Sequence, residues 1–424
     1  MPPLPAALYV AFDVFPRAKG SSTHIASMVQ ALARNYGRVR LLCLGTEEMP
    51  AFQQEGSIAI YRYRGRHRHL LRRATAFAQF VTRHGQQLAG QLRIAAFRDP
   101  WGGYPLLRAN PGCPTLFEVN ALPSWEIAYS RPGWEDDAAL MAKLEDMERR
   151  CLSECSRILC VSSVTRRALI QRGCDAGKIE VIPNTVDNVF AAPPSCTIPA
   201  LEEGDWAGYI GGLQAWQGVD SLLEAFALTS HGRLLILPGD SLRAMGYLEN
   251  RITQLRLRNR VMIHSAITHS EVAGVMARLR FTVVPLADTP RNTVQGCCPI
   301  KLVESMAAGT PLVASDLAVV REWVTHGREG LLVEPGDRRG WALAMETLFR
   351  DEVLRRTLGA AARRRAEQCF SWNGIHTQLD GIFERTLGTN HEEEAVKTGR
   401  PDAGSAPGDR HAPDQRALQP EAPR

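Results

Sequence analysis

The sequence lacks the features that mark a metal-binding, secreted or membrane-spanning chain. Most of its ten cysteines, such as Cys43, Cys160 and Cys174, lie inside apolar runs, and the adjacent Cys297 and Cys298 are not a metal motif. We therefore expect reduced thiols and no bound metal. No apolar run reaches the roughly 18 residues that span a bilayer. The opening segment MPPLPAALYVAFDVFP has neither a basic start nor a long apolar core, so it does not resemble a signal peptide.

Charge of one sign is not in large excess either. The formal net charge is +5, and 22% charged with 45% hydrophobic residues is typical of a soluble globular protein. The bulk charge therefore does not predict a nucleic-acid partner. We expect a cytoplasmic protein, and a basic stretch described below leaves peripheral contact with the inner face of a membrane open.

What the sequence does contain is a regular alternation of strands and helices. Apolar runs such as ALYVAFDV and VRLLCLG alternate with helical patterns such as THIASMVQALARNY, and the plan repeats from WAGYIG to GLLVEPGD. Such alternation indicates parallel sheets with helices on both faces. We predict an α/β fold with two doubly wound, Rossmann-like domains and a ligand site in the cleft between them.

A proline-rich segment, AAPPSCTIPALEEGD (191–205), marks the predicted domain boundary. We expect a first domain over residues 1–195, a second over 206–370, and a helix over 371–388 that crosses back to the first domain. Residues 389–424 lack aromatic side chains and are rich in proline, glycine and charge. This tail is predicted to be disordered.

The segment KGSSTHI, from Lys19 to Ile25, lies between the first strand and the first helix. Its glycine, Gly20, would let backbone N–H groups approach an anionic ligand at the helix N-terminus. The segment is not the G-x-G-x-x-G of dinucleotide-binding folds. The simpler interpretation is a helix capped by Ser22 or Thr23, with His24 in a structural role.

The segment YRYRGRHRHLLRR (61–73) contains six arginines and two histidines in thirteen residues. Such density predicts a positive surface. An anionic membrane surface suits Arg62–Arg73 better than nucleic acid does, because no stacking platform or nucleic-acid module accompanies them. A solvated basic loop is the alternative.

Two further segments are predicted to end strands with polar loops. FEVNALPSWE (117–126) would turn Glu118, Asn120 and Ser124 toward the cleft, although each residue alone is as consistent with a loop-stabilising role. RDPWGGYP (98–105) is predicted to be a similar loop with flexible glycines.

The segment CCPIKLVESMAAGTPLVASD (297–316) places Lys301 and Glu304 on one helical face, directly after a proline. A weak ion pair on a solvated helix is the simpler reading. A polar grip on a ligand at the edge of a parallel sheet is the other.

Taken together, these segments resemble family-4-type retaining glycosyltransferases of the GT-B architecture. The matching order is the loop from Gly20 to His24, then VSSVTRRAL, KIEVIPNTVD, GGLQAWQG, KLVESMAAGTPLVASD and GREGLLVEPGD. The resemblance covers roughly residues 8 to 388. It implies a first domain that binds the acceptor and a second that binds a nucleotide-diphospho-sugar.

The resemblance also implies roles for particular residues. Glu304 matches the second glutamate of an E-x7-E motif, whose carboxylate accepts hydrogen bonds from the ribose hydroxyls. The donor-binding residues that it implies are Gly20, Gly212, Gln217, Ile267, Cys298, Pro299, Ile300 and Glu304. Of these, Ile267 would lie at the base, and the backbone from Cys298 to Ile300 would lie beside the sugar and diphosphate.

This sequence departs from the family at three positions. Gly296 stands where the first glutamate is expected, and Gly212 and Gln217 stand where an arginine and a lysine usually bind the diphosphate. Two charge-assisted hydrogen bonds are worth about 3–6 kcal/mol together, out of about 8 kcal/mol for a micromolar ligand. Lys301 is the best replacement, followed by Lys19 and Arg17.

The implied reaction is sugar transfer with retention, with UDP- or GDP-sugars as donors and a glycan or a lipid-linked saccharide as acceptor. Lys301 would neutralise the leaving diphosphate, while Asn120 and His24 would orient sugar and acceptor. The resemblance implies no cofactor and no metal, and no D-x-D pair stands out. A UDP-sugar epimerase of the same fold and a non-catalytic nucleotide-sugar-binding protein are the alternatives.

Overall fold

A computed structural model describes residues 6–17, 20–186, 188–190, 192–196, 198–238, 242–265 and 267–398; at 188, 242–244 and 389–398 it describes the backbone alone. The strands are β1 (Ala7–Val14), β2 (Val39–Leu44), β3 (Phe52–Glu55), β4 (Ile58–Tyr63), β5 (Ile94–Phe97), β6 (Thr115–Val119), β7 (Arg157–Cys160), β8 (Ile179–Val181), β9 (Trp206–Gly211), β10 (Arg233–Pro238), β11 (Val261–Ile263), β12 (Phe281–Val284), β13 (Leu312–Ser315) and β14 (Leu331–Val333). The helices are α1 (Gly20–Tyr36), α2 (Leu70–Leu88), α3 (Pro100–Arg108), α4 (Pro123–Ser130), α5 (Ala138–Glu154), α6 (Ser163–Gln171), α7 (Val219–Phe226), α8 (Leu242–Gln254), α9 (His269–Arg278), α10 (Ile300–Ala308), α11 (Ala318–Arg321), α12 (Arg338–Arg350), α13 (Glu352–Cys369) and α14 (Trp372–Thr398).

The first lobe is built on a sheet whose strand order is β3-β4-β2-β1-β5-β6-β7-β8. Every pairing is parallel except that of β3 with β4. The central strands are fully buried apolar runs because helices cover both faces of the sheet. From β1 the chain first builds one side of the sheet with β2, and it later returns to the other side of β1 with β5. Ligands bind at such a switch point, which here lies between β1 and β5.

The second lobe repeats this plan with a parallel sheet of order β11-β10-β9-β12-β13-β14. Its switch point lies between β9 and β12, because the chain passes from β9 to β10 on one side and later returns to the other side with β12. Helices α7 and α12 pack on one face of the sheet, and α9, α10 and α13 pack on the other. The two-lobed α/β fold with doubly wound sheets, predicted from the alternating pattern, is the observed architecture.

The last helix, α14, returns to the first lobe. Four of its apolar side chains enter the core formed by α1, β1 and β2: Ile375, Leu379, Ile382 and Phe383. The carboxylate of Asp380 also accepts two hydrogen bonds from Arg34 of α1, at 2.7 and 2.8 Å. The helix continues to Thr398, into the segment predicted to be a disordered tail, and residues 399–424 lie outside the described residues.

The basic stretch is the solvated loop that one interpretation predicted only over residues 64–69, which are all exposed. Residues 61–63 belong to β4 and residues 70–73 to α2, so that only 64–69 connect two elements. Arg62 is 3% exposed and donates hydrogen bonds to the carbonyls of Phe15 and Pro50 and to Gln53 Oε1. The prediction that Arg62 contacts a membrane was wrong, because its guanidinium holds loops inside the first lobe.

RDPWGGYP was also predicted wrongly as a flexible loop. Pro100–Arg108 form α3, which Asp99 caps by accepting a hydrogen bond from Gly102 N at 2.9 Å. A Cβ atom at Gly102 would lie 2.6 Å from Val10 Cγ1, and one at Gly103 would lie 2.2 Å from a Phe97 ring carbon. The glycines therefore serve close packing of the helix on the sheet. Across the described ranges, no helix is both long enough and apolar enough to pass through a bilayer.

Candidate active site

The carboxyl ends of the two sheets face each other across a cleft of about 1090 Å³. The cleft is lined by every residue that the sequence proposed for catalysis or donor binding: His24, Asn120, Lys301, Glu304, Gly20, Gly212, Gln217, Ile267, Cys298, Pro299 and Ile300. Arg17 also lines it, whereas Lys19 and residue 266, next to Ile267, lie outside the described residues. The fold thus brings together segments that are almost three hundred positions apart, and the individual roles stay predictions.

Lys301 lies in this cleft with its ammonium over the ring of Tyr209. Nζ is 4.4 Å from the ring centroid, donates to Tyr209 Oη at 3.1 Å and also donates to Gln217 Oε1. Burial lowers the pKa of Lys301 to about 7, and the group that opposes this shift is the Cys297 thiol rather than a carboxylate. No carboxylate of a described residue pairs with this ammonium, and a desolvated ammonium without a counter-ion is costly. The position therefore suits an anion.

Gly212 and Gln217, the two positions that lack the family's cations, instead support Lys301. The amide oxygen of Gln217 accepts from the ammonium, and Tyr209 Oη passes a hydrogen bond on to the carbonyl oxygen of Gly212. The described structure thus has an ammonium at the start of α10, while β9 and the loop after it supply the hydrogen-bond acceptors that orient it.

Glu304 lies one turn beyond Lys301 and accepts a hydrogen bond from His269 Nε2, at 2.9 Å from Oε1. The weak Lys301–Glu304 ion pair is therefore not the arrangement seen: the ammonium turns to Tyr209 and the carboxylate to His269. Glu304 is 8% exposed, so that little of its carboxylate is in contact with solvent. A carboxylate held in this way can accept from two neighbouring hydroxyl groups.

The backbone between the lobes presents the N-terminus of α10 to the cleft. The first N–H groups of a helix have no partner within the helix itself. In α10 the preceding residue is Pro299, whose side chain cannot cap them. Asn184 Nδ2 holds the segment that precedes α10 by donating to the carbonyl of Cys298 at 2.7 Å. Burial raises the pKa of the Cys298 thiol, which keeps it neutral. This terminus suits a negatively charged group.

Glu118, at the end of β6, does not line the cleft as predicted but lies buried behind its first-lobe wall, where it organises the neighbouring polar groups. It accepts from Tyr9 Oη at 2.5 Å, from Arg98 Nη1 at 3.1 Å and from Asn120 Nδ2 at 2.8 Å, and His24 Nδ1 lies 3.7 Å away. Burial is the main cause that lowers the pKa of His24 to about 4. His24 is therefore a neutral hydrogen-bonding group at physiological pH.

The position that lacks the first family glutamate has a structural reason to be glycine. Gly296 has φ +78° and ψ 166°, a conformation that is essentially reserved for glycine. A Cβ atom there would lie 2.7 Å from Ser162 Oγ and 2.8 Å from Thr165 N, both in the first lobe. Residue 296 is thus a contact between the lobes, with no space for a carboxylate side chain.

Gly20 makes a second close contact between the lobes. A Cβ atom on Gly20 would lie 2.1 Å from Ile300 Cδ1 at the start of α10. The group that approaches this glycine in the structure is therefore a side chain of the opposite lobe. Gly20 begins α1, so the prediction that Ser22 or Thr23 caps this helix was wrong; Ser22 Oγ instead accepts from Arg17 N at 2.8 Å.

Sequence reasoning missed a cluster that joins the lobes at one side of the cleft. Arg291, in a π-helical turn (Arg291–Gln295), donates from its backbone N–H to Tyr129 Oη at 3.0 Å and places Nε 3.7 Å from Glu126 Oε1. The rings of Tyr129 and Trp216 meet edge to face at 5.3 Å. No local pattern identifies these residues, because each of them contacts a partner in the other lobe.

Ser124 does not turn toward the cleft as predicted. It lies in α4, and its Oγ donates to Glu148 Oε2 at 2.6 Å in the interior of the first lobe. Glu148 also pairs with Arg172 at 2.7 Å. Ser124 is therefore a packing residue.

Two family models match the chain: Glycosyltransferase Family 4 over residues 18–189 and Glycosyl transferases group 1 over residues 204–351. A D-inositol 3-phosphate glycosyltransferase of Jonesia denitrificans is 29% identical over 230 residues, covering 50% of this chain and 52% of that protein. A phosphatidyl-myo-inositol mannosyltransferase of Mycobacterium leprae is 29% identical over 247 residues, covering 56% and 61%. The chain thus spans about half to three fifths of the length of these curated relatives.

Solved structures share the fold over almost the whole chain. A sucrose-phosphate synthase from Thermosynechococcus elongatus superimposes with a TM-score of 0.74 at 18% identity, covering 90% of this chain and 99% of the other. Anabaena HepE, in complex with UDP-glucose, gives a TM-score of 0.66 at 16% identity, with 90% and 99% coverage. At these identities the likeness establishes the GT-B fold.

Proposed function

Because this chain belongs to the family-4, group-1 glycosyltransferases, we propose that it transfers a sugar from a nucleotide-diphospho-sugar to a hydroxyl of a glycan or lipid-linked acceptor. The observation that carries the proposal is the ammonium of Lys301, which lies in the cleft with no carboxylate contributing to its pKa. The N-terminus of α10 and the carboxylate of Glu304 lie on the same helix.

The donor proposed is a UDP-sugar, with GDP-sugars as the alternative. Anabaena HepE binds UDP and UDP-glucose in the complexes that share this fold. In this chain the diphosphate would lie against Lys301 and the first N–H groups of α10, and the ribose hydroxyls against Glu304. Ile267, on the same wall of the cleft, would contact the base.

The chemistry proposed is transfer with retention of configuration at the anomeric carbon. Lys301 would stabilise the charge that develops on the leaving diphosphate. Asn120 and neutral His24, both beside Glu118, would orient the sugar and the acceptor hydroxyl by hydrogen bonds. The attack would occur on the face that the diphosphate leaves, and a diphosphate oxygen would take the acceptor proton. No resident cofactor forms part of this proposal.

The contact between the lobes also supports a closed reaction site. Gly20 meets Ile300, and Gly296 meets Ser162 and Thr165, so that the cleft is bounded by both lobes. Exclusion of water would limit hydrolysis of the donor. Contact with a membrane surface, if lipid-linked acceptors are used, would depend on the exposed part of the basic stretch, such as Arg68 and Arg72.

The test is to incubate the protein with UDP- and GDP-sugars, with and without candidate acceptors, and to measure nucleotide release and product. Release that requires an acceptor supports transfer. Tight donor binding without turnover favours the nucleotide-sugar-binding protein, and conversion of the donor sugar itself favours the epimerase. Lys301→Ala is expected to weaken donor binding at least tenfold, whereas Lys143→Ala, an exposed lysine of α5, should leave it unchanged. Equal donor affinity in wild type and Lys301→Ala would remove the proposed diphosphate contact.

A further inference from the structure

The basic stretch singled out in the sequence divides into arginines with different surroundings. Arg62 is buried and bonded to loop carbonyls, Arg64 donates to the carbonyl of Met49 at 2.7 Å, and Arg66 pairs with Glu47. Arg73, by contrast, lines the cleft. The proposed transfer reaction uses none of these arginines, so Arg73 is a cation in the cleft without an assigned role.

The guanidinium of Arg73 is held in place by an aromatic ring rather than by a carboxylate. Its Cζ lies 5.5 Å from the centroid of the Phe12 ring. Nε is buried and has no hydrogen-bond partner within the described structure. A buried N–H group that has no acceptor destabilises the protein, and the aromatic ring compensates only in part. A ligand oxygen in the cleft would accept from the terminal nitrogens of the guanidinium.

The carboxylates nearby are already engaged by the backbone. Both oxygens of Asp99 accept backbone N–H groups, from Phe12 at 2.7 Å and from Gly102 at 2.9 Å. Asp13 accepts from Val14 N at 3.0 Å. Among the ion pairs of the described residues, neither Arg73 nor Arg17, which also lines the cleft, has a carboxylate partner.

The surface beside these cations is apolar. Trp101 lies 5.9 Å from Phe12, centroid to centroid, and Leu70 lines the same part of the first lobe. An aromatic floor with an arginine above it can contact the apolar face of a sugar ring or an alkyl chain while the guanidinium binds an anion. Lys301 and α10 line the cleft from the opposite lobe.

We propose that Arg73 binds a phosphate ester carried by the acceptor, above the floor formed by Phe12 and Trp101. The acceptor is thus a phosphorylated sugar, polyol or lipid rather than a neutral glycan. This inference rests on the proposed function only in calling the ligand an acceptor. The phosphate site itself does not need a donor to be bound.

The test measures binding by isothermal titration calorimetry in the Lys301→Ala background, which removes the competing cation of the second lobe and needs no donor. Three probes are compared: octyl phosphate, sn-glycerol 3-phosphate and neutral octyl glucoside. We expect both phosphate esters to bind and octyl glucoside to bind at least tenfold more weakly. The tighter of the two esters tells whether the phosphate belongs to an amphiphile or to a soluble molecule.

Two arginine variants give the control. Arg73→Gln should weaken binding of the phosphate esters at least tenfold, whereas Arg72→Gln, the exposed neighbour on α2, should change it less than twofold. Equal losses in both variants, or octyl glucoside binding as tightly as octyl phosphate, would overturn the proposal. UDP titrated into Arg73→Gln with Lys301 intact should bind as in wild type. Phosphate-ester binding without any UDP binding would count against the proposed transfer reaction and leave this site standing.

Discussion

The ammonium of Lys301 rests 4.4 Å from the centre of the Tyr209 ring and donates to the hydroxyl of the same side chain at 3.1 Å. The aromatic face and the hydroxyl oxygen stabilise the positive charge without neutralising it. Lys301 therefore retains its ability to attract an anion, and it is held at one place in the cleft. Two measurable consequences follow for stability and for ligand binding.

The first prediction concerns the pH dependence of stability. Burial lowers the pKa of Lys301 from 10.5 in the unfolded chain to about 7 in the folded protein. Between these two values the unfolded chain binds more protons, so Lys301 makes the free energy of unfolding rise with pH. Lys301→Met should remove this rise and should be more stable than wild type at pH 6.5. Denaturant unfolding at pH 6.5 and pH 9 measures the free energy of unfolding of both proteins. The same change in this free energy between the two pH values in wild type and in Lys301→Met would contradict the prediction.

The second prediction concerns donor affinity, which should change with pH in the opposite direction. The charged form of Lys301 attracts the diphosphate, and this form is depleted above pH 7 in the free protein. The dissociation constant for UDP-glucose, whose diphosphate keeps its charge over this range, should therefore rise between pH 7 and 9. Lys301→Arg, which stays charged, should bind with little pH dependence. A flat profile for wild type would show that another cation binds the donor.

The third prediction tests the glycine that stands in place of the family glutamate. Gly296→Ala should lower the free energy of unfolding by about 2 kcal/mol or more, because it adds backbone strain and a clash with Ser162 and Thr165. Gly327 has nearly the same φ, +77°, but nothing within 4 Å of its missing Cβ. Gly327→Ala should therefore be the milder variant. Denaturant unfolding curves of the two variants measure the difference in stability. By the same argument, Gly296→Glu should lose stability rather than gain activity.

The fourth prediction concerns Glu322, which joins the lobes behind the cleft. Its carboxylate accepts from Ser163 N at 3.1 Å, from Ser163 Oγ at 2.8 Å and from Val164 N at 3.3 Å, at the start of α6. Glu322→Ala should cost about 1–3 kcal/mol, since it leaves these donors without a partner. Glu352→Ala, which breaks an exposed pair with Arg356, should cost less than about 1 kcal/mol. Equal losses in the free energy of unfolding for the two variants would mean that water satisfies the donors of Ser163 and Val164 once the Glu322 carboxylate is removed.

The fifth prediction separates donor orientation from fold. His269 Nε2 donates to Glu304 Oε1 at 2.9 Å and so fixes the carboxylate proposed for the ribose. His269→Ala should raise the dissociation constant for UDP about tenfold with little effect on octyl phosphate. His326→Ala, outside the cleft in the same lobe, should leave UDP affinity unchanged. A loss of affinity for both ligands would indicate a general change of structure instead.

The strands and their order along the chain were predictable because each central strand is a continuous apolar run between turn residues. The strand ends then place Asn120, Lys301 and Glu304 at one edge of each sheet without further information. Periodicity thus determined where the cleft lies. It could not determine what each polar group touches inside the cleft.

The partners in the site come from distant parts of the chain. Tyr209 and Gln217 reach Lys301 across more than eighty positions, and His269 reaches Glu304 from another helix. Arg62 shows the same limit, since its composition suggested a solvated surface while the fold buries it. Pairwise contacts of this kind depend on how helices and strands pack, and a single sequence records only the residues that take part.

The return of α14 to the first lobe has a consequence for synthesis. The interior of that lobe lacks Ile375, Leu379, Ile382 and Phe383 until nearly all of the second lobe has left the ribosome. In an emerging first lobe the apolar side chains of α1 that contact α14 therefore stay uncovered until α14 has been made. The lobe that is made first is the last to be completed.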